Sequence, residues 1–457
     1  MLLGALVSCD SANDVATDDS VPTDTTADEG YTEADEPYEE ETFAEVALKE
    51  YDLEKFKIVY DGDDYAVYAE TLRDEIKEKT SLELEIVKDG SGGTEGECVL
   101  LVGECKRPVS KVVFDYANRI YFDKVGFSCD NGRVQLFGRD RNTINASIDY
   151  FIENSVNNNS TVINIPEKGD VGTVNPAMGN TIPKKTTKNT LRVVSNNILL
   201  QDLLRSTERA TELFVAFGLM DADVYALQEV DMLWHTFYKL DNNMKRMGYE
   251  VYPPNNSKAR NPIFYKSEVF KLLEGGSKAY DSSKFTDGTY PGSSYNWACL
   301  EHKETKKQII VVSTHFVARM TNAELTEAER LEKANVYREE SARQLLAALD
   351  EIKKTYTDAA VVVMGDFNNN CESPAYKLLS SKLESARDKC ESTKNMNFRT
   401  YLGQPLGRAP EKGSDKVLDH VFYSQAGITP LHYETVISPY TYAYSDHVPV
   451  LFDFKLK

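Results

Sequence analysis

The first patterned stretch of the chain runs from about residue 50 to 156. Phe56-Lys57-Ile58-Val59-Tyr60 reads as a short strand, and Tyr65, Tyr68, Leu72 and Ile76 repeat at helical spacing behind it. Leu82 to Val87 alternates apolar and polar residues, the mark of a half-buried strand, and Val99-Leu100-Leu101-Val102-Gly103 is continuous enough to be a buried one. Asn131-Gly132 stands between two β-like runs, Lys124–Ser128 and Arg133–Phe137, and predicts a tight hairpin. Ile144, Ile148, Phe151 and Ile152 predict a closing helix between Arg141 and Val156. Residues 157–190 are rich in Asn, Gly and Pro and read as a linker.

From residue 191 the rhythm changes. Six apolar runs each carry a polar group at one end. They are Leu191–Ile198 with Asn196-Asn197, Asp223–Val230 with Gln228-Glu229, and Ile309–Phe316 with Thr314-His315. Ala360–Asn368 follows with Gly365-Asp366-Phe367-Asn368, then Val417–Tyr423 with Asp419, then Ser445-Asp446-His447 just ahead of Val448–Phe452. Runs of this kind suit strands buried on both faces, with the polar ends delivered to a common edge. A charged stretch near 322–354, with Arg338, Leu345, Leu346 and Leu349 at helical spacings, predicts an outer helix.

Length and charge refine this division. A chain of 457 residues exceeds what one core usually serves, so at least two units are expected. The formal charge of -21 is concentrated at the front. Residues 1–190 hold 38 acids and 19 bases, whereas 191–457 hold 35 and 33. The acidity therefore says little about the partner of the second unit. No apolar run approaches the roughly 18–20 residues that a spanning helix needs.

Leu6-Val7-Ser8-Cys9 resembles a bacterial lipoprotein signal. That resemblance implies a lipid on Cys9 and a protein held at the extracellular face of a bacterial membrane. Residues 10–48 are acidic, with no Lys or Arg, and too poor in apolar residues to offset their ordering entropy, so a disordered tether is expected. The other six cysteines form no Cys-x-x-Cys pair. Cys98 and Cys105 could bridge, or could equally be small buried residues.

The first unit resembles the small α/β domain that precedes the catalytic barrel of alpha-glucuronidases and beta-hexosaminidases. The likeness implies either an accessory packing domain or glycan contact through 50–156. The second unit carries a stronger resemblance. Asn197, Gln228-Glu229, Thr314-His315, Gly365-Asp366-Phe367-Asn368, Asp419 and Ser445-Asp446-His447 stand in the order of the endonuclease/exonuclease/phosphatase superfamily, the deoxyribonuclease I-like group. Each motif alone is common; six in order are specific. The expected fold is α+β, a four-layer sandwich of two mixed sheets flanked by helices, preceded by the small α/β unit and the acidic tether.

The resemblance also implies roles. Glu229 would be the main ligand of a hard divalent cation, Mg²⁺ or Mn²⁺, with Asn197 and Asp446 near the same ion. His447 would take a proton from the attacking water, with Asp419 holding its imidazole. Asp366 and Asn368 would orient water and phosphate, and His315 would donate to a phosphate oxygen or the leaving group. Asn261 and Tyr265, in Asn261-Pro262-Ile263-Phe264-Tyr265, would face the substrate. Arg205 and Arg209 follow the first strand, where substrate loops sit; they could touch phosphate but read rather as helix-surface arginines. Where deoxyribonuclease I carries a basic residue that reaches DNA, this chain has Asp231, and no basic ribbon with interleaved aromatics is visible. The substrate class stays open among nucleic acid, phospholipid head group and sugar or inositol phosphate. The alternative function is a glycan- or surface-binding lipoprotein whose hydrolase fold is silent.

Overall fold

The structure is a computed structural model. It describes residues 45–457 except 91–92, 94–95, 108, 111–123, 139–140, 175–184, 186, 188, 201–206, 255–258, 282, 284–292, 319–324 and 414. The lipoprotein-like start, Cys9 and most of the acidic segment lie outside the described residues. No helix among the described residues is long and apolar enough to cross a membrane.

The first unit begins with β1 (Leu48–Asp52), β2 (Phe56–Tyr60), β3 (Ile86–Lys88) and β4 (Cys98–Val102). It continues with β5 (Lys124–Asp130), β6 (Arg133–Leu136), β7 (Val162–Pro166) and β8 (Lys168–Val174). The main sheet has the order β3-β2-β4-β6-β5-β8. Helices Ala66–Thr80 and Arg141–Ser155 cover one face through Leu72, Ile76, Ile148 and Phe151. The β5–β6 turn places Asn131 at φ 50° and Gly132 at φ 85°, the left-handed pair that the Asn-Gly signal predicts.

The expected linker is partly structured. β7 pairs antiparallel with β1, and β8 with β5 over seven residue pairs. Ile163 and Ile165 of β7 point into the core beneath the helices. The sequence Lys168-Gly169-Asp170-Val171 hides β8 because an edge strand needs only its neighbour's backbone to form.

The second unit contains two sheets packed face to face. One is built from β9 (Leu191–Asn197), β10 (Val224–Gln228), β11 (Tyr249–Tyr252), β12 (Ile263–Lys266), β18 (Ser392–Lys394), β20 (Ile428–Thr435) and β21 (Val450–Leu456), in the order β11-β12-β10-β9-β21-β20-β18. The other is built from β13 (Phe270–Ala279), β14 (Ser294–His302), β15 (Gln308–His315), β16 (Ala360–Asp366), β17 (Glu384–Ser385) and β19 (Asp419–Tyr423), in the order β13-β14-β15-β16-β19-β17. β9–β10 and β15–β16 are parallel pairs, whereas β21–β9 and β16–β19 are antiparallel, so both sheets are mixed.

Alternation along each central strand explains the layering. Val193, Val224 and Ala226 meet Ile309, Val311, Val362 and Met364 between the sheets. Their neighbours Val194, Tyr225 and Leu227 face outward against helix Thr207–Met220. Ile310, Val312, Val361 and Val363 face the other way, against helices Glu327–Thr355 and Pro374–Ser380. Strands buried on both faces must be apolar at every position, which is why these runs are unbroken. The result is the expected helix–sheet–sheet–helix sandwich. The long helix starts where Thr326 and Glu329 close a reciprocal capping box. Arg192 and Asp453, register partners on β9 and β21, form a buried two-point ion pair at 2.7 Å each that pins the central register. All six cysteines among the described residues are free.

Candidate active site

β9, β10, β15 and β16 end at one edge of the sandwich, and the loop before β21 arrives there too. Asn197 closes β9 with its side chain fully buried. Its amide donates to Glu229 Oε1 and to Asp366 Oδ2, both at 3.0 Å. Asn197 Oδ1 accepts from Leu199 N–H at 3.0 Å, so the amide orientation is fixed from both ends. Glu229 follows β10 at φ 59°, and its Oε2 accepts from Leu200 N–H at 3.2 Å.

Asp366 ends β16 and is buried. His315 Nε2 lies 3.5 Å from Asp366 Oδ2, and His447 Nε2 lies 3.6 Å from the same oxygen. Asp366 Oδ1 accepts from Asn368 N–H at 2.8 Å, and Asn368 Nδ2 donates to Phe316 O at 2.9 Å. His447 Nδ1–H donates to Asp419 Oδ2 at 2.8 Å. Ser445 Oγ donates to Asn197 O at 2.7 Å and accepts from His447 N–H, which ties the Asp446-His447 loop to the end of β9. Asn197, Glu229, His315, Asp366, Asn368, Asp419, Asp446 and His447 therefore share one cluster.

The electrostatics of that cluster are those of concentrated negative charge. Burial pulls the His447 imidazole down, but the carboxylates of Asp419 and Asp366 outweigh it and hold the group up at about 10. Burial raises the Asp419 and Asp446 carboxyls against the lowering pull of His447. Asp446 Oδ1, Asp419 Oδ1 and His315 Nε2 are buried without a hydrogen-bond partner. An orphaned carboxylate oxygen beside other buried acids is costly unless a cation completes it. Among the described residues one tight set of potential ligand atoms is formed by Asp366, Asp419 and His447. The shortest contact in that set is the His447–Asp419 hydrogen bond, which marks those two as a proton-holding pair. Glu229 and the free Asp446 oxygen supply hard oxygen donors that Mg²⁺ or Mn²⁺ prefers, so these residues fit a divalent cation, whereas Asn197 turns Nδ2 toward the acids and Oδ1 toward Leu199 N–H.

Two expected substrate residues are placed differently. Tyr265 pairs with Val224 at the far end of β10 from Glu229 and packs between the sheets with Ile263. Its ring is core, because strand alternation puts residues 263 and 265 on the same inward face. Asn261 does lie at the site end, yet its amide holds Ser294 O at 2.9 Å and Ser294 Oγ at 3.1 Å. It ties one sheet to the other, leaving only Oδ1 unpartnered.

Arg209 is not a surface arginine. It is 3% exposed, and its guanidinium donates to the carbonyls of Ile198, Leu199, Leu200 and Tyr444. It also lies over the Trp234 ring at 5.1 Å, and Trp234 Nε1–H reaches Leu199 O at 3.0 Å. Together they brace the loop whose amides hold Asn197 and Glu229. Arg338 does the same on the other side, donating from the long helix to Val317 O and Ala318 O just beyond His315. Burial lowers each guanidinium to about 10. Nothing in the local sequence distinguishes these arginines from exposed ones.

Comparison with known proteins agrees with the geometry. Residues 189–447 match the model of the Endonuclease/Exonuclease/phosphatase family. The chain belongs to that family. It is 27% identical over 201 residues to carbon catabolite repressor protein 4 homolog 6 of Arabidopsis thaliana, a match covering 42% of this chain. The chain spans about a quarter of that relative's length, 26%. Similar solved structures include a family protein from Bacteroides thetaiotaomicron, at 17% identity and TM-score 0.45, covering 58% of this chain and 94% of that one. A mannosyl-6-phosphatase from the same organism is 19% identical at TM-score 0.45, covering 58% and 99%. The human Nocturnin catalytic domain is 22% identical at TM-score 0.43, covering 59% and 94%.

Proposed function

We propose that this family member is a divalent-metal-dependent phosphoester hydrolase, acting on phosphodiesters, with His447 as the proton acceptor. One observation carries the reading. A single carboxylate oxygen, Asp366 Oδ2, is approached by Asn197 Nδ2, His315 Nε2 and His447 Nε2 at 3.0, 3.5 and 3.6 Å. These groups come from strand ends spread over 250 residues of sequence, and a merely structural core has no use for such convergence.

Glu229 and Asp446 would hold the ion, with Asn197 positioning Glu229 beside it. When bound, it supplies neutralisation of the substrate's phosphate charge. The chain's own groups do the rest. Asp419 accepts the Nδ1 proton of His447, which leaves Nε2 as the nitrogen that would take a proton from water once cation charge at the site offsets the acids that hold the imidazole protonated. Asp366 faces that nitrogen and His315 at once, so it orients both imidazoles toward one phosphorus. His315, partly exposed at the rim, is placed to donate to a phosphate oxygen or to the departing oxygen. General acid–base help of this kind contributes about 10²–10⁴ in rate per group. The lipid anchor on Cys9, and with it the extracellular position, rests on the sequence alone.

The test is Mg²⁺- or Mn²⁺-dependent cleavage of bis(4-nitrophenyl) phosphate by the full chain. His447→Ala and Glu229→Ala should each abolish it. Equal activity in the wild type and both variants would overturn the assignment.

A further inference from the structure

One wall of the site is a long excursion between β18 and β19, residues 398–418. Its start is bonded to the catalytic loop. Tyr401 forms a backbone bridge with His447, Leu402 N–H donates to Asp446 O at 2.7 Å, and Val448 N–H donates to Thr400 O at 2.8 Å. Its end is bonded back to its start, since Thr400 Oγ1 accepts from Leu418 N–H at 2.8 Å and from Asp419 N–H at 3.1 Å. The excursion is thus built into the dyad and cannot be displaced without moving it.

The side chains on this wall have a definite charge. Arg399, Arg408, Lys412 and Lys416 stand against Glu411 and Asp415, in a unit that is otherwise slightly acidic. Glu411 and Asp415 both pair with Arg399, at 3.0 and 3.2 Å. Among the described residues no carboxylate pairs with Arg408, Lys412 or Lys416. Lys416 is exposed and lies 5.4 Å over the Tyr401 ring. The same ring lies beside the His447 imidazole, with centroids 5.0 Å apart. One ring is therefore in contact with both an exposed ammonium and the imidazole assigned to act on water. Lys412 lies in the same way over Phe398, at 5.8 Å.

We propose that Lys416 is an anion subsite, which takes a second negatively charged group of the substrate next to the phosphoester that is cleaved. The inference rests on the hydrolase reading of the site. The ligand chemistry it names is a polyanionic phosphate ester: a nucleic-acid strand or a sugar bearing more than one phosphate. Tyr401, bridged to the His447 backbone and in contact with both side chains, ties the ammonium to the neighbourhood of His447. An isolated phosphoester leaves Lys416 without a task.

Kinetics on wild type, Lys416→Glu, Lys416→Ala and Lys416→Arg test this. Bis(4-nitrophenyl) phosphate supplies one negative charge. Oligothymidylate and inositol bisphosphate supply several and separate the two sources. For whichever polyanion the wild type cleaves, Lys416→Glu should raise KM about tenfold or more. Lys416→Ala should lower the slope of log(kcat/KM) against log[salt] by about one. Lys416→Arg should restore both, and KM for the singly charged ester should stay within about twofold, because an exposed charge with no partner contributes little. Unchanged KM for the polyanion, or an equal rise for both substrate types, would overturn the subsite. A wild type that cleaves none of the three esters would instead overturn the hydrolase reading.

Discussion

Arg209 offers a sharp test of how the site is held together. Its guanidinium serves the carbonyls of Ile198, Leu199 and Tyr444 closely and that of Leu200 at 3.4 Å. Methionine at 209 would keep the apolar stem and remove every donor. Each buried carbonyl left unpaired costs about 1–3 kcal/mol. Removing a buried charge offsets part of this, because burial itself opposes the guanidinium. Leu199 O keeps its bond from Trp234, so a net loss of about 2–4 kcal/mol follows from the two close acceptors left bare, Ile198 O and Tyr444 O, and for a unit of this size it corresponds to roughly 5–15 °C in Tm.

The assay is favourable because the chain has two tryptophans, Trp234 and Trp297, and both lie in the second unit. Tryptophan fluorescence on heating therefore follows that unit alone. Arg209→Met should lower the midpoint by the stated amount. Arg209→Lys, which keeps the charge but not the planar fork, should lower it by about half as much. A midpoint for Arg209→Met within about 2 °C of wild type would refute the bracing role, since so small a shift leaves too little energy for three lost hydrogen bonds.

Two further outcomes are expected. Asp419→Asn should reduce kcat by about 10³–10⁴ with little change in KM, by analogy with other carboxylate-oriented histidines, and a loss under tenfold would reject the dyad. His420 is fully buried, and burial lowers it to about 4 from the ordinary 6.5, while its Nε2–H donates to Asn369 O at 2.8 Å. The unfolded chain therefore binds the proton first, so this contribution is complete above pH 6.5 and is lost as pH falls toward 4. The loss at pH 5 is about 2 kcal/mol. His420→Phe should show a correspondingly smaller drop in urea midpoint between pH 7 and pH 5; an identical drop would reject neutral burial.

Much of this architecture is legible in the sequence for one reason. The central strands are buried on both faces, so the apolar runs stop only where the chain leaves the sheets, and the polar residues at those stops become conspicuous. Asn197, Glu229, His315, Asp366 and Asp419 were all visible in this way. Tyr265 departs from the expectation because strand parity outranks the motif: Ile263 and Tyr265 share the inward face that Phe264 avoids. β8 was missed because its pairing energy lies in the backbone, which the sequence does not show. The roles of Arg209 and Arg338 are not legible because their acceptors are loop carbonyls, and helical spacing does not reveal such partners. Tyr401 lies amid glycines and prolines and gives no periodic signal at all.

Backbone strain carries the rest of the information. Leu199, Glu229 and Asn368 all sit at positive φ, at 57°, 59° and 52°, where glycine is the residue of least cost. Each stands within two residues of the end of a central strand at the candidate site. A left-handed residue there turns the chain sharply, so that an amide can bind the side chain just passed, as Leu199 N–H does with Asn197 and Asn368 N–H with Asp366. Glycine would relieve the backbone at Glu229 and delete the acid. The fold instead holds the side chain against a cost of order 1–2 kcal/mol, and does so at positions that converge on Asp366. Strain tolerated where glycine is excluded by chemistry is the physical difference between a loop that merely links strands and one that builds a site.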